Sequence, residues 1–374
     1  MKKINNKIVL NFIQDIATPH NNVLIAALKN HENFELKLWY AKENNDKLYQ
    51  WDKNITHEHL VAKIYGNQIN WKFLFYCFSK REEKFLIVGW MNINTKLLHL
   101  LFFLLRRPFN HWTDLPDYQY KNQTVVNTLK NKISNYLLKN SRCKIFGVGK
   151  ITLDYFSILG FPKSNLVNLP IFVNTDEDLE NYQLRRAQIN TKYSINYQTF
   201  LIVAGSRLIF DKGYDLLLEA FSIIPLNKRI NMKLVIVGSG VEKKAIEKLI
   251  ESYDLSENTV IEPWLSIEDF KLLIANSDVF IHPARFDSFG GTTLGMAMGK
   301  PVIGSYTAGA AYDRIIDGHN GYLYDSKDVS KLAEYIILLY DNNDLKIRLG
   351  ENALMTAKKW SPLKGVDILA KNLI

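Results

Sequence analysis

Arg207 and Lys212 fall in the stretch Gly205–Gly213, between a buried apolar run, Phe200–Ala204, and an amphipathic helical run, Tyr214–Ile223. A forked guanidinium and an ammonium at the C-terminal end of a strand can converge on one anion, and the field at the N-terminus of the next helix adds to their pull. The chemistry that suggests is diphosphate binding; solvated loop cations are the competing reading. Gly205 and Ser206 open this turn, and Gly238 opens a similar one after Met232–Val237, where a tight βα turn alone would also explain a glycine. A second cluster lies within Val279–Leu323. There a strand-like run, Val279–His282, leads into Asp287, and Gly290 and Gly291 open a helical run reaching Met298. Paired glycines let backbone N–H groups approach phosphate oxygens, and Thr292 and Thr293 add hydroxyl donors. Asp287 would repel phosphate, so its carboxylate is better suited to sugar hydroxyls. Gly309 lies in a loop of small residues, Thr307–Ala311, which also permits close approach of a ligand.

Such groups must be held at strand ends, and the rest of the chain has the rhythm that does this. Runs at Ile8–Ile13, Phe34–Trp39, Phe85–Val88, Lys144–Phe146 and Leu166–Leu169 read as strands. Val23–Leu28, Thr95–Leu105, Asn127–Leu138 and Ile151–Leu159 read as the helices between them. The pattern predicts an α/β chain of two doubly wound domains, the first closing near Val173, with ligands at the carboxyl ends of the strands. Asn174–Ser194 is polar, carries no strand signal and reads as a linker. Arg106–Tyr118 reads as a proline-bounded loop, on which His111 and Asp114 are candidates for catalysis or acceptor binding. The alternative is that His111 and Trp112 only pack, with Asp114 capping a turn.

The 374 residues carry 47 Lys and Arg against 38 Asp and Glu, a net charge of +9. That excess suits a phosphorylated ligand or an anionic membrane, and no RNA-module signature or zinc spacing points elsewhere. Cys77 and Cys143 sit in apolar contexts, as buried free thiols of a reducing compartment do. Polar residues interrupt the N-terminal apolar run, which reads as a strand and not a signal peptide. Leu97–Leu105 is too short to span a membrane, for which about 20 residues are needed. It suits a buried helix or a surface patch beside Arg106 and Arg107.

Three stretches together, Gly205–Gly213, Ile281–Gly290 and Gly299–Ile303, resemble the nucleotide-sugar-dependent glycosyltransferases of family 4, which have the GT-B fold. The resemblance implies two Rossmann-like domains facing a central cleft: residues 1–175 with a returning helix at 360–374 as acceptor domain, 176–195 as linker and 196–359 as donor-binding domain. It implies that Arg207 and Lys212 bind the donor diphosphate and offset the charge on the leaving group. Asp287 takes the first position of the family's paired acidic motif, on the donor sugar, and the second position falls on Gly295, which has no side chain for the ribose. His111 is the nearest match to a histidine beside the donor sugar, and Ala17–Asn22 to a turn facing the diphosphate. The implied activity is retaining transfer of a hexose-type sugar from a nucleoside diphosphate to a saccharide or lipid-linked acceptor. It needs no metal or cofactor and no nucleic acid, and takes place in the cytoplasm, with possible peripheral contact at an anionic membrane. A nucleotide-sugar epimerase and a non-catalytic binding subunit are the alternatives.

Overall fold

The computed structural model describes residues 7–42, 63–90, 92–115, 125–175 and 179–374. The chain divides into two compact units, residues 1–172 with 362–374, and residues 173–361.

In the first unit the elements run β1 (Ile8–Gln14), α1 (Pro19–Asn30), β2 (Phe34–Tyr40), β3 (Lys63–Ile64), α2 (Trp71–Ser79) and β4 (Lys84–Val88). There follow α3 (Ile93–Leu104), β5 (Phe109–Thr113), α4 (Val125–Lys139), β6 (Cys143–Gly147), α5 (Lys150–Ile158) and β7 (Leu166–Asn168). All pairings are parallel, in the order β3-β2-β1-β4-β5-β6-β7. The chain reverses its winding between β1 and β4, the switch point of a doubly wound sheet. Thr18 caps α1 by accepting from the Asn21 amide, and a proline follows at the helix start, so the Ala17–Asn22 turn is built by capping rather than by glycine. The Leu97–Leu105 run has two faces: Leu98 and Phe102 are buried, while Leu100, Leu104 and Leu105 are exposed. Cys77 and Cys143 are buried free thiols.

The expected loop Arg106–Tyr118 is corrected as far as it is described, through Leu115. Five of its residues form β5, where His111 pairs in register with Ile87 of β4 and Ile145 of β6. Its polar residues hid the strand, yet Asn110, His111 and Trp112 each have a buried partner. The Asn110 side-chain amide donates to the Phe85 carbonyl at 3.0 Å, and the Trp112 indole donates to the Leu169 carbonyl at 2.8 Å. Pro116, Asp117 and Tyr118 lie outside the described residues.

The second unit opens with α6 (Leu179–Leu184) and α7 (Arg186–Tyr193), then β8 (Phe200–Gly205), α8 (Tyr214–Ser222), α9 (Leu226–Arg229), β9 (Met232–Val237), α10 (Lys243–Ser252) and β10 (Thr259–Glu262). It continues with α11 (Ile267–Ala275), β11 (Val279–His282), α12 (Thr292–Ala297), β12 (Val302–Ser305), α13 (Gly309–Arg314), β13 (Gly321–Tyr324), α14 (Val329–Asp341) and α15 (Asn343–Lys359). Its six parallel strands are ordered β10-β9-β8-β11-β12-β13, with the reversal between β8 and β11. The polar segment read as a linker is more than that. Tyr182 of α6 and Ile189 and Tyr193 of α7 are buried in the layer under β8, β9 and β11. Three inward side chains in two short helices leave too little apolar periodicity to read.

The last helix, α16 (Pro362–Asn372), belongs to the first unit and packs on α1. Gly365 permits that approach, since a Cβ there would stand 2.7 Å from Leu24 and 2.6 Å from the Phe172 ring.

Candidate active site

Four loops of the second unit, after β8, β9, β11 and β12, interlock at the C-terminal edge of its sheet. The Ser206 amide donates to Val237 and the Leu208 amide to Ser239, tying the first loop to the second. The Phe286 amide donates to Asp211, and the Gly309 amide to Asp287, joining in the third and fourth. Several expected ligand glycines serve this interlocking. A Cβ on Gly238 would strike the Ser206 carbonyl, one on Gly309 the Ser288 carbonyl, and one on Gly205 the Phe270 ring. Ser206 is turned to the buried Tyr214 hydroxyl at 2.8 Å, and burial pushes that phenol's pKa up.

At the centre stands Asp287, 9% exposed. Lys212 Nζ lies 2.7 Å from its Oδ2, and His282 Nε2 is 3.1 Å from the same oxygen. The Phe289 amide donates to Oδ1 at 3.4 Å. Burial alone would raise the pKa of this carboxyl. The hydrogen bond from His282 and the charge of Lys212 outweigh it and hold Asp287 well below the usual carboxylate range. Because an ionised carboxylate only accepts, Nε2 of His282 carries a proton, and Nδ1 is hydrogen-bonded to the Thr292 hydroxyl at 2.9 Å. Thr292, expected to face phosphate, therefore orients the histidine that orients Asp287. Gly290 makes the cluster possible: at φ +82° its missing Cβ would lie 2.5 Å from His282 Nε2 and 2.6 Å from Asp287 Oδ2. Its amide and that of Gly291 have no backbone acceptor among the described residues. Thr293 is buried beside them.

The structure brings Lys212 and Asp287 into direct contact and leaves Arg207 on the exposed rim of the same loop, with no side-chain partner among the described residues. Arg285 is structural: it forms a two-bond pair with Asp215 at 2.6 and 2.5 Å and stacks on Phe210. His282 and Thr292 are the positioning residues that sequence reasoning missed or misassigned. The available signal was a lone histidine ending an apolar strand, just before Pro283.

Two expectations are corrected. His111 belongs to the first unit and is 3% exposed, with Nδ1 3.0 Å from Nε2 of the fully buried His99. Burial lowers both pKa values, that of His99 to about 4 and that of His111 further through the neighbouring ring, so the pair is a neutral core contact packed under Trp90. Gly295, in turn, faces the core: a Cβ there would lie 2.9 Å from the Phe280 side chain. A glutamate at that position would enter the layer between α12 and β11, not the ligand side of the helix. Gly295→Glu is accordingly expected to cost about 2–4 kcal/mol by overpacking and burial of charge, and to leave nucleotide affinity no better. Thermal unfolding beside calorimetry checks this, and tighter nucleotide binding would overturn it.

A cavity of about 630 Å³ opens elsewhere in the second unit, lined by residues such as Tyr197, Asp278 and Lys300 that precede strands. It lies at the amino edge of the sheet, opposite Asp287. Much of its charged lining is already paired, Lys346 with Asp278 at 2.5 Å and Arg186 with the Asn276 carbonyl. Among the described residues no group of three His, Cys, Asp or Glu side chains is arranged to hold a metal ion.

Known proteins place this geometry in context. Anabaena HepE in complex with UDP is similar at a TM-score of 0.74, with 16% identity and 98% of both chains covered. The sucrose-phosphate synthase of Thermosynechococcus elongatus is similar at a TM-score of 0.69, with 17% identity over 98% of this chain and 99% of that one. The two-domain Rossmann-like GT-B fold is thus shared over nearly the whole chain. In sequence, the capsular polysaccharide biosynthesis glycosyltransferase CapM of Staphylococcus aureus is 27% identical over 52% of this chain and 49% of its own. Alpha-D-kanosaminyltransferase of Streptomyces kanamyceticus is 26% identical over 50% and 48%. The chain spans about half the length of the curated relatives it matches. The family model of glycosyl transferases group 1 matches residues 185–355, and that stretch contains the whole of the Lys212–Asp287–His282 cluster and its four loops.

Proposed function

We propose that the chain is a family 4 glycosyltransferase that moves a hexose-type sugar, with retention of configuration, from a nucleoside diphosphate to a saccharide or lipid-linked acceptor in cell-surface polysaccharide or glycolipid synthesis. The observation that carries this is the buried Lys212–Asp287–His282 cluster at the strand ends of a unit matching glycosyl transferases group 1. Lys212 directs one of its three donors to Asp287 and another to the Phe286 carbonyl at 3.5 Å, leaving the third for a diphosphate oxygen. Arg207, exposed on the same loop, supplies the second cation and stabilises the charge that develops on the departing diphosphate. Asp287, kept ionised, accepts from a sugar hydroxyl through the lone pairs that its protein partners leave. With two side-chain cations on the leaving group, no metal is required. UDP is the first donor base to test, since HepE binds UDP and UDP-glucose and the Staphylococcus aureus protein TarM binds UDP. The acceptor is handled at the cytoplasmic membrane face, which the protein reaches as a peripheral visitor.

Titration calorimetry with UDP tests the donor assignment. Arg207→Ala is expected to weaken binding about tenfold or more, while thermal stability stays unchanged because the side chain is exposed. Unchanged affinity would remove Arg207 from the diphosphate site. A non-catalytic nucleotide-sugar-binding subunit is the second reading, because the same cluster would hold a nucleotide sugar whether or not transfer follows. Product analysis with and without acceptor separates transfer from mere binding, and from an epimerase, which would need no acceptor.

A further inference from the structure

Helices α2, α3 and α4 lie on one face of the first unit's sheet, where they cover the core with Phe73 and Leu74, Leu98 and Phe102, and Leu138. Their outward faces are also apolar, which packing against the sheet does not require. On α2, Trp71 and Phe75 are 72% and 68% exposed, one turn apart; on α3, Leu104 is 66% exposed. On α4, Leu129, Ile133 and Tyr136 repeat at helical spacing and are all exposed. The helices are in contact, with the Phe103 and Tyr136 rings 6.4 Å apart, so these stripes form one surface. Arg107 braces it from below. Its guanidinium sits over Phe85 and Phe102 and donates to the carbonyls of Cys77, Phe78 and Lys80, fastening the end of α2 to α3.

Among the described residues the charge on this surface is predominantly positive, with Glu82 beside Arg81 as an exposed acid. Lys72, Arg81, Lys96, Arg106, Lys130 and Lys132 are exposed among the apolar side chains. No acidic residue occurs between Lys84 and Thr113, or between Val125 and Leu153. Soluble chains seldom leave so large an aromatic and aliphatic patch uncovered without a partner. A second copy of the same face would bring like charges together, whereas lipid headgroups of opposite sign would neutralise them.

We propose that the outer face of α2, α3 and α4 docks on an anionic lipid bilayer, with Trp71, Phe75, Leu104 and the α4 stripe entering the headgroup boundary and the surrounding lysines and arginines binding lipid phosphates. No helix among the described residues is long and apolar enough to cross a membrane, and a surface contact requires none. The inference takes up the membrane contact proposed above and gives it a surface; it stands on this face and not on the sugar chemistry.

Sedimentation of the full chain with vesicles tests it, using phosphatidylcholine alone and phosphatidylcholine with about one-third phosphatidylglycerol. The expected result is binding to the mixed vesicles, little to the neutral ones, and release by high salt. The Lys130→Glu/Lys132→Glu variant and the Phe75→Ser/Leu104→Ser variant are each expected to lose about tenfold or more in partitioning. Lys244→Glu/Lys248→Glu on α10 is expected to bind as the wild type does. Circular dichroism melts and transfer to a soluble acceptor are followed in parallel, and both should be unchanged in the surface variants. Equal binding to both vesicle types, wild-type binding by the two surface variants, or an equal loss in the α10 variant would overturn the proposal. So would a concentration-dependent dimer that Phe75→Ser/Leu104→Ser dissolves. Lost lipid binding with intact transfer leaves the proposed activity standing.

Discussion

Lys212→Met is expected to lower kcat/KM for sugar transfer about a thousandfold and the unfolding free energy by about 3–5 kcal/mol. Both effects come from one atom. Nζ of Lys212 is buried and lies 2.7 Å from Asp287 Oδ2, so its removal leaves an ionised carboxylate with only His282 and one amide for partners. The same ammonium is the inner of the two cations proposed for the diphosphate, and a methionine of similar length restores neither charge nor donors. Stability and chemistry are separated by a second substitution. In Lys212→Met/Asp287→Asn the stranded charge is gone, so much of the lost stability should return while transfer stays low. If transfer returned with stability, Lys212 would be a structural partner of Asp287 and no more. The pair also predicts an acid response. The folded pKa of Asp287 lies below its unfolded value, so its contribution is present above the unfolded pKa, about 3.9, and is lost as pH falls through the folded one. Asp287→Asn should flatten the stability profile in that acid range and leave its shape near neutrality unchanged.

The elements that frame this site were legible because strands of a doubly covered parallel sheet are unbroken apolar runs. Phe200–Gly205, Met232–Val237 and Val279–His282 all read that way, and each ends in a turn with a visible glycine or charge. Lys212 and Asp287 were legible as residues but not as a pair, since their contact joins loops after β8 and β11, which the topology brings together and the sequence separates. His282 was illegible as a positioning group for the same reason: its Thr292 and Asp287 partners are defined only once Gly290 turns the chain back over the ring. β5 failed in the opposite direction. Asn110 and His111 signal a loop unless their buried partners, Phe85 and His99, are already known. The Gly295 mismatch read as a missing ligand because spacing from Asp287 places it on α12 without saying which side of that helix faces Phe280.

Gly290→Ala carries the second large effect: about 3 kcal/mol of stability and about a hundredfold in transfer. Two costs add. The position has φ +82°, where any L side chain is disfavoured by about 1–2 kcal/mol. The new methyl would also stand 2.5 Å from His282 Nε2 and 2.6 Å from Asp287 Oδ2, inside the hydrogen bond that joins them. Neither partner can retreat freely, because His282 is held by Thr292 on its other nitrogen and Asp287 by Lys212. Gly318→Ala provides the comparison. Its φ is +70° but nothing lies within 4 Å of the added Cβ, so it pays the backbone cost alone. It should lose only about 1–2 kcal/mol and keep full activity. Thermal unfolding and initial-rate measurements on the two variants decide the matter. If both lose the same stability and both stay active, Gly290 serves the turn only, and the His282–Asp287 contact tolerates displacement. If Gly290→Ala alone loses transfer, the glycine is there to let a histidine reach the carboxylate proposed for the donor sugar.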